Sequence, residues 1–361
     1  MCLTTIICDT IREKGPISFR DFMEMALYYP GKGYYTSSSE RIGKQGDFYT
    51  SAYLTSLFGK LIAKQMEEMW HVLGKRPFTI VEYGAGSGLL CRDILEQLSQ
   101  NKRLYRNLSY FIIEKSEAMR RKQQAVLNEK VRWVDCIKEI APINGCVISN
   151  EVVDNFAVHQ VVMEDALMEV YIDFENVFLE RKLPADSTLV NYFEQLNVQL
   201  PRGFRTEINL EATSWLEEIA AAIGNGFVIT IDYGFPSFEL YAERRNKGTL
   251  VCYHKHEVNY SPLQNVGEQD ITTHINFSAL QHWGKQSGLE YAGYTNQACF
   301  LLGLGLTQQL AQVEKADASS GNSKILLHTF LHDMGKKMKV LVQKKGVNGA
   351  MLSGLQFCER L

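Results

Sequence analysis

The stretch TIVEYGAGSGLL, from Thr79 to Leu90, decides the fold. Thr79, Ile80 and Val81 read as the end of a buried strand. Glu82 follows, then Gly84, Gly86 and Gly88 at alternate positions. Leu89, Leu90, Ile94, Leu95 and Leu98 then recur with helical spacing. A strand that turns through glycines into a helix lets the backbone approach a ligand closely, because no Cβ stands in the way. The carboxylate of Glu82, just before the turn, favours a cationic or hydroxyl-bearing ligand over a pyrophosphate.

A dinucleotide fingerprint is G-x-G-x-x-G with phosphate at the helix N-terminus. Here Leu89 stands where the third glycine belongs, and the motif is E-x-G-x-G-x-G. That pattern is associated with class I S-adenosylmethionine (SAM) methyltransferases; SAM carries an ammonium and a sulfonium and no phosphate. The segment FIIEKS adds Glu114 after the apolar run Tyr110 to Ile113, where a carboxylate grips two ribose hydroxyls. The gap from Gly84 to Glu114 exceeds the roughly 20 residues usual in dinucleotide folds, and the polar segment Asn101 to Asn107 absorbs the excess. A plain βα turn with a surface glutamate, and an NAD site, are the competing readings.

Outward from this motif, strands and helices alternate. Strands are expected at Phe78–Glu82, Tyr110–Glu114, Val131–Val134, Cys146–Ser149 and Phe227–Ile231, with helices to about residue 100, at Glu117–Asn128 and at Leu210–Ile223. Such alternation predicts a mostly parallel, doubly wound sheet with right-handed crossovers. The expected class is therefore α/β, a class I Rossmann-like methyltransferase core. An N-terminal helical lid region occupies residues 1–75, the core 76–158 and 206–345, and a β-rich insertion 159–205, where HQVVMEDALMEVYIDFENVFLERKL alternates like antiparallel hairpins.

Ligands of open α/β sheets sit outside the carboxyl ends of the strands, so residues just after strands are candidates: Glu82, Glu114, Asn150, Glu151, Asp154 and Asp232. The segment SNEVVDNF offers an amide and two carboxylates, which could pair with a guanidinium in bidentate fashion. The plainer reading is a helix start, with Asn150 capping and Glu151 complementing the dipole. Asp232 could serve substrate or cap its own turn. Asp47, in GKQGDFYTS, could belong to a lid or to an ordinary Gly-Asp turn. His254 and His256 fall on one face if YHKHEV is a strand; with no third ligand they suit structure or substrate contact better than a metal. Glu207, just before a helix, reads as a dipole partner or a substrate contact.

The chain has 361 residues, a net charge of −3 and 45% hydrophobic residues, which fits a soluble enzyme and gives no electrostatic footprint for nucleic acid. No apolar run approaches the roughly 18 residues that span a bilayer. Eight scattered cysteines show no zinc spacing and suit reduced core thiols. With no convincing leader at the N-terminus, a cytoplasmic location is expected.

The pieces PISFRDFMEMALYYPGKGYY, GKQGDFYTS, VEYGAGSG, IIEKS, SNEVVDNFAVHQ, IDYG and GEQDITTHINFSAL, in that order, resemble the MidA family. These SAM-dependent methyltransferases include the mitochondrial complex I assembly protein arginine methyltransferase. The resemblance runs from about residue 15 to 305. It implies SAM as cofactor, held by Glu82, Gly84, Gly86, Gly88 and Glu114, with Asp47 closing the pocket. It places Asn150, Glu151 and Asp154 in the catalytic motif, and Asp232, Glu207 and His254 on the substrate side. The sequence departs from the family at Ser87, where arginine is common, and at Phe156-Ala157, where Leu-Pro is usual. The implied activity is methyl transfer to a protein arginine by in-line displacement. A non-catalytic assembly or scaffold protein of the same fold and an NAD-dependent oxidoreductase are the alternatives. The expected partner is a protein substrate, a respiratory-complex subunit among the candidates, with a homodimer allowed and neither nucleic acid nor a membrane span.

Overall fold

In the computed structural model, residues 1–37, 55–316, 328–349, 351–359 and 361 are described. Among the described residues, seven strands form the main path of the central sheet: β1 (Phe78–Tyr83), β2 (Leu108–Ile113), β3 (Val131–Val134), β4 (Ile143–Asn150), β5 (Ile223–Phe235), β6 (Glu290–Asn296) and β7 (Met338–Lys345). Their order is β3-β2-β1-β4-β5-β7-β6. The first five pair in parallel, and β7 runs antiparallel between β5 and β6. Chain direction across the sheet reverses between β1 and β4, the switch point where doubly wound folds bind ligands. Residues such as Ile80, Val81, Val147, Ile148, Val228 and Ile229 are buried whichever face they point to. Parallel strands covered by helices on both faces require such continuous apolar runs.

Contacts divide the chain into two bodies. One takes in the described residues of Tyr49–Val152, Leu216–Tyr233 and Trp283–Leu361 and carries the sheet. Helix Leu57–Val72 packs on helix Leu89–Leu98 in this body, burying Phe58, Leu61, Ile62, Met66, Met69 and Trp70. The indole of Trp70 donates to the Arg76 carbonyl at 2.9 Å, which satisfies its one polar atom inside the core.

The other body takes in the described residues of Met1–Phe48, Val153–Trp215 and Gly234–His282. An antiparallel sheet of Ile17–Ser18, His159–Met163, Leu167–Phe174, Phe178–Pro184 and Arg205–Ile208 forms its frame. Helix Phe19–Tyr28 begins where Ser18 Oγ accepts the Asp21 amide at 3.1 Å, and it buries Phe19, Phe22, Met23, Ala26 and Leu27.

These divisions differ from the boundaries expected from sequence. Helix Leu57–Val72 lies in the sheet-bearing body, and residues 234–282 share a body with the β-rich segment. Periodicity shows that a helix has an apolar face; it does not show which partner covers that face. The strands also run longer than read: β4 begins at Ile143 and β5 spans Ile223–Phe235.

Candidate functional site

Glu82 is next to last in β1, with only 2% of its surface exposed. The Tyr110 hydroxyl donates to its Oε2 at 2.7 Å. Burial pushes the Glu82 carboxyl up to about 7; the Tyr110 bond pulls it down and the nearby Glu114 charge adds to the rise. Beyond it Gly84, Gly86 and Gly88 have φ of +60°, +52° and +79°, the left-handed region that L side chains rarely adopt. A Cβ on Gly84 would lie 2.8 Å from Val152 Cγ2. The loop is tied to β2 by the Gly84 amide, which donates to the Ile113 carbonyl at 2.9 Å. No side chain caps helix Leu89–Leu98; its N-cap is Gly88.

Glu114 follows β2 and is 9% exposed. Its Oε1 accepts the Ser116 amide at 2.9 Å and its Oε2 accepts the Gln123 side-chain amide at 3.1 Å. A carboxylate has about four acceptor positions, so capacity remains for ligand hydroxyls. Burial raises its pKa, and the bonds from Ser116 and Gln123 act against that rise. Arg120 grips the Glu114 carbonyl at 2.7 Å, fixing the backbone that presents the acid. Two buried carboxylates beside a glycine turn repel phosphate and suit an ammonium and a ribose. The residues present therefore fit SAM.

At the end of β4, the Asn150 side-chain amide donates to Glu151 Oε1 at 3.2 Å. Glu151 adopts φ +55°, a conformation that costs a non-glycine residue about 1–2 kcal/mol. Its own amide donates to the Ile231 carbonyl at 2.9 Å. Fully buried Asp232 accepts the Val152 amide on Oδ2 at 3.2 Å and the Tyr233 amide on Oδ1 at 2.8 Å. Asp232 thus braces the strained turn with Oδ2 and holds the next amide of its own strand with Oδ1; β5 runs on to Phe235, so Asp232 has no turn of its own to cap.

The remaining candidates lie in the other body. Asp154 is buried, and its carbonyl accepts the Thr273 amide at 2.9 Å. Next to it, Asn155 and Tyr35 both donate to Asp270 Oδ1, at 3.2 and 2.8 Å. Tyr28 stacks on Tyr35 with ring centres 5.6 Å apart. Burial, followed by the neighbouring acids, pushes both phenols far above the ordinary range. Glu207 does not serve the next helix, which is capped by Asn209 accepting the Ala212 amide at 2.8 Å. Its Oε2 instead accepts both the amide and the hydroxyl of Thr249, at 2.9 and 3.0 Å. His254 and His256 do not share a strand face. Lys255 and His256, both at positive φ, make the two-residue turn between Val251–His254 and Glu257–Asn259, and His254 Nδ1 lies 2.9 Å from the Glu268 carbonyl. Asp47 lies outside the described residues.

The structure therefore gathers Glu82, the three glycines and Glu114 around one loop, and Asn150, Glu151 and Asp232 at adjacent strand ends of the same body. Sequence reasoning missed Tyr110, Gln123 and Trp133 as parts of this site. A signal existed for Gln123: it shares the inner face of helix Glu117–Val126 with Met119, four residues back, where an apolar side chain is the norm. Among the described residues, no cluster could hold a metal ion and no helix is long and apolar enough to cross a membrane.

Comparison with known proteins agrees with this geometry. Residues 61–295 match the profile of an S-adenosyl-L-methionine-dependent methyltransferase family. The mitochondrial protein arginine methyltransferase NDUFAF7 of Mus musculus is 24% identical, over 88% of this chain and 77% of its own. The Drosophila melanogaster homolog is 25% identical, over 95% and 84%. A Burkholderia thailandensis protein crystallised with S-adenosyl-homocysteine superposes with a TM-score of 0.91 at 29% identity, covering 99% of this chain and 95% of that one. The expectation of a cytoplasmic location is overturned: these curated relatives are mitochondrial proteins. Scattered reduced cysteines are compatible with more than one compartment, and the reading of the N-terminus did not discriminate between them. The glycine turn, its two buried acids, the strand order and the relatives lead to one conclusion: the chain belongs to the MidA-like family of SAM-dependent methyltransferases.

Proposed function

We propose that this enzyme methylates an arginine of a protein substrate, with Glu151 as the group that receives the guanidinium. The observation that carries the reading is the backbone of Glu151. A glutamate held at φ +55° at the switch-point strand, with its carboxylate oriented by Asn150, is strain stored beside the glycine loop. The names of the curated relatives, protein arginine methyltransferases, support the acceptor class.

When bound, SAM supplies a methyl group activated by its sulfonium. A guanidinium is a poor nucleophile because its charge is delocalised and its pKa exceeds about 12. Glu151 would accept N–H hydrogen bonds from it, concentrating positive charge on the bonded nitrogens and leaving electron density on the attacking one. The surplus N–H proton of the methylated nitrogen would pass to water, restoring a singly charged methylguanidinium that Glu151 still holds. Asn150 positions that carboxylate, and Asp232 braces the turn beneath it.

The test is incubation of the purified chain with methyl-labelled SAM and a lysate depleted of small molecules, followed by acid hydrolysis of the labelled protein. Label in methylarginine supports the proposal; label in another amino acid removes the arginine assignment. An unlabelled lysate points to the non-catalytic scaffold. Mass spectrometry of the labelled band identifies the target, a respiratory-complex subunit being the candidate the family resemblance raises.

A further inference from the structure

Gln123 is fully buried on helix Glu117–Val126, and both ends of its amide are engaged. Its Nε2 donates to the Gly86 carbonyl at 2.9 Å and to Glu114 Oε2 at 3.1 Å, while its Oε1 accepts the Trp133 indole N–H at 2.8 Å. The orientation of this amide is dictated by its partners. An indole N–H can only donate, and a carbonyl and a carboxylate can only accept. The oxygen must therefore face Trp133, and the two N–H groups must face the loop and the acid. A side chain from a helix, outside both sequence motifs, thus joins the glycine loop to the acid of the next strand.

We infer that Gln123 is a positioning residue for the cofactor's ribose: clamped by Trp133, it holds one oxygen of Glu114 so that the rest of the carboxylate faces the hydroxyls, and it fixes the loop carbonyl of Gly86 in the same stroke. The inference rests on Glu114 being the ribose acid. A carboxylate with one oxygen pinned by Ser116 and the other by Gln123 has lost its rotational freedom before ligand arrives, which is the condition for strong hydroxyl recognition. Without Gln123, a buried carboxylate oxygen loses its donor and the acid is free to turn.

The experiment is calorimetric titration of the full chain, Gln123→Met and Trp133→Phe with S-adenosyl-homocysteine and with its 2′,3′-dideoxy analogue. The loop contact affects both ligands alike; the Glu114 contact affects only the one with hydroxyls. Gln123→Met is expected to weaken S-adenosyl-homocysteine by about tenfold more than the analogue. Trp133→Phe keeps an aromatic ring in place but removes the donor that clamps the amide oxygen, so the amide holds Glu114 less firmly, and a smaller selective loss is expected. Its outcome carries the test if the methionine variant does not fold. Equal losses for both ligands in the variants, within about twofold, overturn the inference while leaving Glu114 in its role. A wild-type chain that binds both ligands equally well removes the ribose reading of Glu114, and the inference with it.

Discussion

Tyr110 and Glu82 meet in a buried hydrogen bond, the phenol donating to the carboxylate at 2.7 Å. The bond joins neighbouring strands β1 and β2 at the root of the glycine loop. The Glu82 carboxyl titrates near 7 in the folded chain, against 4.5 for the ordinary group, because burial outweighs this bond. Between those pH values the folded state keeps the proton that the unfolded state has lost. Stability therefore falls as pH rises from about 4.5 to about 7, by roughly 3 kcal/mol in all, and is level above that. Glu82→Gln removes the slope. Urea unfolding at pH 5 and pH 8 should show the advantage of wild type over the variant shrinking at the higher pH. An advantage that is the same at both values contradicts the assignment.

Gly84 tolerates no side chain on two independent grounds: its φ of +60° and the 2.8 Å approach of a Cβ to Val152. Gly84→Ala should cost about 1–3 kcal/mol of stability and abolish the rise in melting temperature that S-adenosyl-homocysteine gives wild type. An unchanged ligand-induced rise would show that the loop can relax around a methyl group.

Glu151 is strained where glycine would not be. Glu151→Gly should leave the melting temperature unchanged or raise it, by up to about 1 kcal/mol in free energy, since relief of the left-handed conformation offsets the greater freedom of the unfolded chain. Activity in the same variant should be lost. A marked fall in melting temperature would mean the side chain supports the fold rather than the chemistry.

Thr249 links two parts of the β-rich body. Its hydroxyl donates to Glu207 at 3.0 Å and accepts the His274 amide at 3.0 Å. Thr249→Val keeps the shape and removes both bonds. The expected cost is about 1–3 kcal/mol, read by denaturant unfolding, with S-adenosyl-homocysteine affinity unaltered. A stability equal to wild type would free Glu207 for the substrate role that its sequence position suggested.

The sheet-bearing body was the more readable one, for a physical reason. The sequence TIVEYGAGSGLL encodes a strand, turn and helix within one short window, so Glu82 and the glycines followed from local geometry. Glu114 followed from being the acid after an apolar run. Gln123 and Trp133 did not, because their bonds to the loop and to each other arise only when helix Glu117–Val126 and β3 pack beside the loop. The closing pair β6 and β7 and the hairpin around Lys255-His256 were likewise unread. Antiparallel partners distant in sequence carry no local signature, and a two-residue turn at positive φ without glycine or asparagine lacks the usual cue. Asp232 was identified as a site neighbour, but periodicity could not say that its oxygens would face backbone amides.

The most direct measurement pairs two experiments on Glu151→Gln: titration with S-adenosyl-homocysteine, and single-turnover methyl transfer to the identified protein acceptor. The substitution keeps size and reach, removes the charge and turns one of the two acceptor oxygens into a donor. Affinity within about twofold of wild type, with transfer slowed by at least about a hundredfold, is the predicted result. Transfer at the wild-type rate with cofactor fully bound would contradict a carboxylate at this position acting on the acceptor.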